Sequence, residues 1–127
     1  MKERMTKSFF FDTYALIEIS KGNPHYAPYV KEVKIIITRL NLLEFIYFLI
    51  RENKENEITQ AIEHLSLFTV DYDDPLLVEA AKMKYTFKKD KFSFIDCIGY
   101  HVAKKYNLKF LTGDNKFKTM PHVEFVK

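Results

Sequence analysis

The chain has a single cysteine, Cys97, among its 127 residues. No internal disulfide is possible, and a lone thiol fits a reducing compartment, so a cytoplasmic location is expected. No apolar run approaches the ~18 residues of a membrane span. The longest, Leu42–Ile50, is interrupted by Glu44, so no membrane partner is expected. The opening residues MKERMTKS are charged, and the apolar stretch after them stops at Asp12, too soon for a secretory signal. Repeats, low-complexity tracts and interdomain linkers are absent, which predicts one domain over residues 1–127.

What is present is a core and an uneven charge. Hydrophobic residues make up 47% of the chain and aromatics 16%, enough for a sizeable interior. The net charge is +3. Residues 1–64 hold nine basic and nine acidic residues, so the excess lies in the second half. Between Lys82 and Lys109 eight lysines face Asp90 and Asp96. On charge alone a solvated helix face is the better reading, with a phosphate-facing patch as the alternative.

The pattern alternates strands and helices. Ser8–Phe11 reads as a buried strand, residues 13–20 as a short helix, and 25–32 as a second helical segment after the Lys21-Gly22-Asn23-Pro24 turn. Val33–Ile37 is β-branched and reads as a strand. Arg39–Asn53 and Glu55–Ser66 read as helices, and Leu67–Val70 as a third strand. Asp74-Pro75 opens a helix to about Lys88, with Asp74 as its cap. Ser93 caps the next helix, which stops near Asn107. Lys109–Leu111 is a fourth strand and Val123–Val126 a fifth. Such alternation predicts an α/β fold with a parallel sheet, whose functional groups gather beyond the carboxyl ends of the strands.

Four acids stand where a carboxylate is costly. Asp12 ends the run Phe9-Phe10-Phe11, Glu44 lies within LLEFIYFLI, Asp96 within FSFIDCIGY, and Asp114 follows Phe110-Leu111-Thr112-Gly113. Each has a local explanation. Asp12 can cap a helix, Asn41-x-x-Glu44 resembles a loose capping box, Ser93-x-x-Asp96 a better one, and Asp114-Asn115 is turn chemistry. Capping leaves Glu44 unexplained, and four separate caps need not fall on one side of a sheet. A shared divalent cation, Mg²⁺ or Mn²⁺, accounts for all four and points to hydrolysis of phosphate esters.

These segments resemble the PIN domain family, specifically its small VapC-type toxin ribonucleases. The resemblance is carried by FFFDTYALIE, NLLEFIYFL, FSFIDCIGYHVAKKYNL and FLTGDNKF, in that order and spacing. It implies a three-layer α/β/α sandwich with a central parallel sheet, and a metal-dependent endoribonuclease. In that case Asp12, Glu44, Asp96 and Asp114 are the metal-binding, catalytic acids, supported by Thr13, Ser93 and Thr112. For Thr13 and Ser93 a purely structural role is the stronger reading, and for Thr112 a turn role stands level. The resemblance also implies an antitoxin protein partner and a homodimer. Many relatives carry another acid at the position of Lys116, which puts the metal count in question.

The expected reaction is phosphodiester hydrolysis by an activated water, leaving 5′-phosphate and 3′-hydroxyl ends. A metal-free ribonuclease needs a histidine pair, and His25, His64, His101 and His122 show no such motif. Lys82, Lys84, Lys88, Lys89 and Lys91 flank the Asp96 motif and are candidate RNA phosphate contacts. Tyr85, Phe87 and Phe92 could stack on bases, although at least two of them are expected in the core. Cys97 and His101 share a helix face, but two ligands make a poor zinc site. A dehalogenase-like phosphatase would want Asp-x-Asp where the chain has Asp12-Thr13-Tyr14. A receiver domain at Asp71 fits its surroundings poorly. Two alternatives keep the fold: a PIN-like module that binds RNA or protein without cutting, and a housekeeping RNA-processing nuclease.

Overall fold

A computed structural model describes residues 6–127. The reading of the first residues as no secretory signal falls largely outside them. Strand β1 spans Lys7–Phe11 and leads through Asp12 into helix α1, Thr13–Ser20. A 3-10 turn, Pro24–Tyr29, stands where a helical segment over 25–32 was expected. Pro28, inside the segment, lacks the N–H that a continuous α-helix would need. Strand β2 is Val33–Ile36 and helix α2 Arg39–Arg51. The expected helix over 55–66 divides into a 3-10 turn, Glu55–Glu57, and α3, Ile58–Leu65. Helices α4, Asp74–Thr86, and α5, Phe94–Lys105, follow, then strands β3, Lys109–Thr112, and β4, Val123–Phe125.

The sheet is parallel throughout, in the order β2-β1-β3-β4. Alternate side chains of a strand point to opposite faces. Phe9, Phe11 and Leu111 accordingly pack with Leu16, Leu42, Phe45 and Leu49 of α1 and α2. Phe10 and Phe110 pack with Ala80 and Met83 of α4 and with Cys97 and Tyr100 of α5. Both faces of the sheet are thus covered, which gives the three-layer sandwich. Among the described residues no helix is long and apolar enough to cross a membrane.

Two expectations are corrected. Leu67–Val70 is not a strand: Ser66–Phe68 is a 3-10 turn, and a single parallel bridge joins Ile37 to Thr69. Ile37 N donates to Phe68 O and Val70 N to Ile37 O, after which the chain turns away towards the start of α4. The cap of α4 is Asp73 rather than Asp74, because the Asp73 carboxylate accepts from Leu76 N at 3.1 Å.

The close approach of α5 to the sheet requires Gly99. A Cβ there would lie 2.9 Å from the Phe10 ring, itself fully buried and stacked on Phe110. This contact sets how closely the middle of α5 sits against β1 and β3.

Candidate active site

Asp12 follows the last residue of β1 and N-caps α1, its Oδ1 accepting from Thr13 N at 2.9 Å. Its own N–H donates to Leu111 O, which ties it to β3. Thr112, the last residue of β3 and fully buried, donates its hydroxyl to Asp12 Oδ2 at 2.7 Å. The same Thr112 oxygen accepts from Asp114 N at 3.1 Å. One threonine therefore links the acids that follow two adjacent strands. Gly113 between them has no room for a side chain, since a Cβ would run into Val126 O and the Tyr14 ring.

Glu44 arrives from α2. The loose Asn41/Glu44 capping box is corrected: the box is Thr38 with Asn41, and Glu44 stands beyond it on the helix. Asn41 is buried, and its Oδ1 accepts from Thr38 N and from the Thr38 hydroxyl. Its amide donates to the Thr13 hydroxyl at 3.2 Å, and that hydroxyl donates to Glu44 Oε1 at 2.5 Å. Thr13 thus connects Asp12 to Glu44 much as Thr112 connects Asp12 to Asp114. Asn41 and Thr38 were missed as site residues, although the signal was there: Thr-x-x-Asn directly after a strand is an N-terminal helix box.

Asp96 lies in the first turn of α5. Ser93 N donates to Asp96 Oδ2 at 2.9 Å and Ser93 Oγ accepts from Asp96 N at 3.0 Å, a reciprocal capping box. Asp114 caps the 3-10 turn Asn115–Phe117, accepting from Lys116 N at 3.0 Å. Its Oδ2 also accepts from Lys116 Nζ at 2.7 Å.

The acids act on one another's charge. Burial, followed by the charge of Asp96 and, after the Thr112 hydrogen bond that opposes them, that of Glu44, pushes the Asp12 carboxyl up to about 7. Burial raises Glu44, against the Thr13 hydrogen bond, and Asp96 adds to the rise. Burial also raises Asp96, opposed by the Ser93 N–H and by the Lys116 charge. Like carboxylates in a partly dry pocket disfavour each other's ionised form. Thr13 and Thr112 thus tie Asp12 to Glu44 and to Asp114 beyond the carboxyl ends of β1 and β3, and Asp96, from α5, acts on the charge of Asp12 and Glu44.

Three of the five lysines named from sequence have local partners, and two lie at the surface. Lys84 donates to Phe92 O at 2.7 Å and lies over the Phe94 ring, bracing the turn before α5. Lys82 pairs with Glu79, and Lys88 lies over Tyr85. Lys89 and Lys91 are exposed. Tyr85 is 75% exposed and Phe87 partly so, leaving Phe92 as the one core ring of the three, not two. The lysine that reaches the acids is Lys116. The Cys97 thiol is buried and pushed up to about 11 by that burial, first of all, and by Asp96, in keeping with a packing role.

The PIN domain family matches residues 9–123 of the chain. The protein belongs to the PIN domain family. PIN domains are generally nucleases. Three solved structures share the PIN fold. A toxin-antitoxin complex from Klebsiella pneumoniae is 18% identical with a TM-score of 0.71, covering 91% of this chain and 95% of that one. VapBC2 from Rickettsia felis, bound to a DNA fragment from their promoter, is 16% identical with a TM-score of 0.70, covering 94% and 99%. PAE2754 from Pyrobaculum aerophilum is 16% identical with a TM-score of 0.66, covering 95% and 92%. No curated protein matches the chain.

Whether this PIN pocket suits a divalent ion is decided by its donor chemistry. Among the described residues no three of His, Cys, Asp and Glu already stand as a ligand set. The convergent donors are nonetheless all carboxylate and hydroxyl oxygens, the hard ligands that Mg²⁺ and Mn²⁺ prefer. Burial is the largest cause raising Asp12, Glu44 and Asp96, and neighbouring carboxylates add to it, a strain that a hard cation would relieve. The residues fit such an ion.

Proposed function

We propose that this PIN domain protein is a metal-dependent endoribonuclease, the toxin of a type II toxin-antitoxin pair. The observation that carries the reading is the hydrogen-bonded chain at the carboxyl end of the sheet that ties Asp12 to Glu44 through Thr13 and to Asp114 through Thr112, with burial raising Asp12 to about 7. Asp12, Glu44, Asp96 and Asp114 would hold Mg²⁺ or Mn²⁺. Such an ion supplies positive charge for the phosphodiester oxygens and makes water more acidic.

The chain's own groups set the rest. Asp12 is fixed by Thr13 N and the Thr112 hydroxyl, so its carboxylate has one orientation. Glu44 is aimed by Thr13, which Asn41 in turn holds. A carboxylate near neutral pKa and so positioned can take a proton from an attacking water. Asp96 is presented by the Ser93 box, and Thr112 keeps Asp12 and Asp114 in register. Lys88, Lys89 and Lys91 offer exposed charge to the RNA backbone beyond the pocket.

The toxin reading draws on two structural neighbours described as a toxin-antitoxin complex and as VapBC2. It also draws on an exposed apolar stripe of α2, Leu43, Tyr47 and Ile50, which runs past Glu44 and suits an amphipathic partner segment. A homodimer and a cytoplasmic location belong to the same reading.

The test is direct. Purified protein should cut single-stranded or structured RNA with Mg²⁺ or Mn²⁺, leave 5′-phosphate ends, and stop on addition of EDTA. Asp96→Asn should remove cleavage while the far-ultraviolet circular dichroism is unchanged. Cleavage that survives EDTA or this substitution would refute the metal-nuclease reading. Growth arrest on induction, relieved by a neighbouring small protein, would establish the toxin role.

A further inference from the structure

Phe94 opens α5, directly after its cap Ser93 and two residues before Asp96, and is 62% exposed. A single exposed apolar residue needs no explanation by itself. This one is held in place. The Lys84 ammonium donates to Phe92 O at 2.7 Å and stands 4.9 Å from the centroid of the Phe94 ring. Phe92 is buried, with the Phe87 and Phe117 rings at centroid distances of 6.1 and 4.8 Å. The cation is therefore anchored to a core segment. It covers one face of the Phe94 ring in a cation–π contact and leaves the other face to solvent. Ser93 and Asp96 bond each other reciprocally, so the turn that carries the ring is also fixed to the acid.

The surroundings add positive charge without neutralising it. Lys84, Lys88, Lys89 and Lys91 make no ion pair among the described residues, and Asp90 is the one acid between positions 84 and 95. The exposed Tyr85 ring has the Lys88 ammonium 4.9 Å from its centroid. Exposed rings among unpaired lysines suit single-stranded nucleic acid, whose bases stack on aromatic faces while ammonium groups follow the phosphates. Tyr106 and Lys105 form a similar pair at the other end of α5, but there the lysine is taken up by Asp73. We infer that Phe94, backed by Lys84, is the stacking platform for an unpaired RNA base next to the phosphate that reaches Asp96. One helical turn rises only ~5.4 Å, so ring and acid serve adjacent parts of one strand. The inference takes RNA as the ligand from the nuclease reading above, and its geometry involves no metal.

The chain contains no tryptophan, so Phe94→Trp places a single reporter at the platform. The background is Asp96→Asn with MgCl₂, in which the RNA stays intact on the nuclease reading. Titration with a short single-stranded oligoadenylate should quench the indole fluorescence of Phe94→Trp. Inorganic polyphosphate, which carries charge but no bases, should not. By anisotropy of labelled oligoadenylate, Phe94→Ala and Phe94→Leu should each bind about five- to 100-fold more weakly, with the slope of log affinity against log salt unchanged. Phe94→Tyr should stay within about twofold of its parent. A ring this exposed can be removed without unfolding α5, which circular dichroism checks. If oligoadenylate binds but leaves the indole emission unchanged, or if Phe94→Leu binds as tightly as its parent, the platform is refuted and the ring is left to a protein partner. No binding to any variant refutes it too. Cleavage of RNA by protein with Asp96 intact is scored separately, so a nuclease that ignores Phe94 is told apart from a platform that binds RNA without cutting.

Discussion

The two sides of the acid pocket are built on opposite principles. On one side Asp12 and Glu44 come from β1 and α2 and are joined through Thr13, held by buried Asn41. Their partners are neutral, and both carboxyls are raised by burial and like charge. On the other side Asp114 already carries a cation, and Asp96 is held by the Ser93 N–H, with the Lys116 charge opposing its rise. The first side is a charge deficit fixed in place by hydrogen bonds; on the second, Asp114 has its own cation and the rise of Asp96 is opposed by one. A site built this way has its deepest demand for a cation at Asp12.

Substitutions should separate the sides. Asp12→Asn should lower RNA cleavage by about 10³-fold or more. The same change should raise metal-free thermal stability at pH 8, because a buried charge repelled by its neighbours is removed. Asp114→Asn should also impair cleavage but lower stability slightly, by no more than ~1 kcal/mol, since Lys116 loses its partner. Equal stability changes in the two variants would erase the distinction.

Proton linkage should show the same asymmetry. Asp12 is raised from 3.8 to about 7. Between those values the folded chain keeps a proton that the unfolded chain has released. Metal-free stability should therefore fall as pH rises from about 4 to 7 and level off above that. A divalent ion must displace this proton, so Mn²⁺ affinity should weaken by up to about tenfold for each pH unit below 7. Thermal unfolding and calorimetry between pH 5 and 8 measure both slopes.

Asn41→Ala tests the hydrogen-bonded side. It leaves the Thr38 N–H and the Thr13 hydroxyl short of a buried partner, at a cost of about 1–3 kcal/mol in urea unfolding. Cleavage should fall with it, because Glu44 loses its aim. The smallest effect is expected outside the pocket. Replacing Lys88, Lys89 and Lys91 together by Ala should weaken RNA binding severalfold and flatten its salt dependence, by about 0.7 in log–log slope for each phosphate no longer neutralised. Turnover of a short bound oligonucleotide should stay the same.

The sequence made the α/β alternation readable because strands and caps were explicit. The runs at residues 9–11 and 110–111 are too apolar for loops, and Ser93-x-x-Asp96 marks a helix start that the structure reproduces. Leu67–Val70 misled because its composition is strand-like while its pairing depends on where α3 delivers the chain. With Asp73 and Asp74 adjacent, composition could not say which carboxylate reaches Leu76 N. The four acids stood out individually; the caps expected at Asp12 and Asp96 are present, and the turn chemistry expected at Asp114 takes the form of a cap on a 3-10 turn. Capping and convergence turned out to be compatible, since the hydrogen bonds that cap a helix also fix where its carboxylate points. The Asn41–Thr13 contact and the Lys116–Asp114 ion pair could not be read from the sequence, because they exist only once α2 and the 115–117 turn are seated against other elements.

Gly113 has one more implication. Its missing side chain lets the Val126 carbonyl and the Tyr14 ring close against the loop between Thr112 and Asp114, and Val126 N bonds to Thr112 O from the same direction. Residues around Val126, which touch none of the acids through hydrogen bonds of their own side chains, act as a doorstop behind that loop. Loosening them offers a remote way to disarm the pocket while leaving all four carboxylates intact.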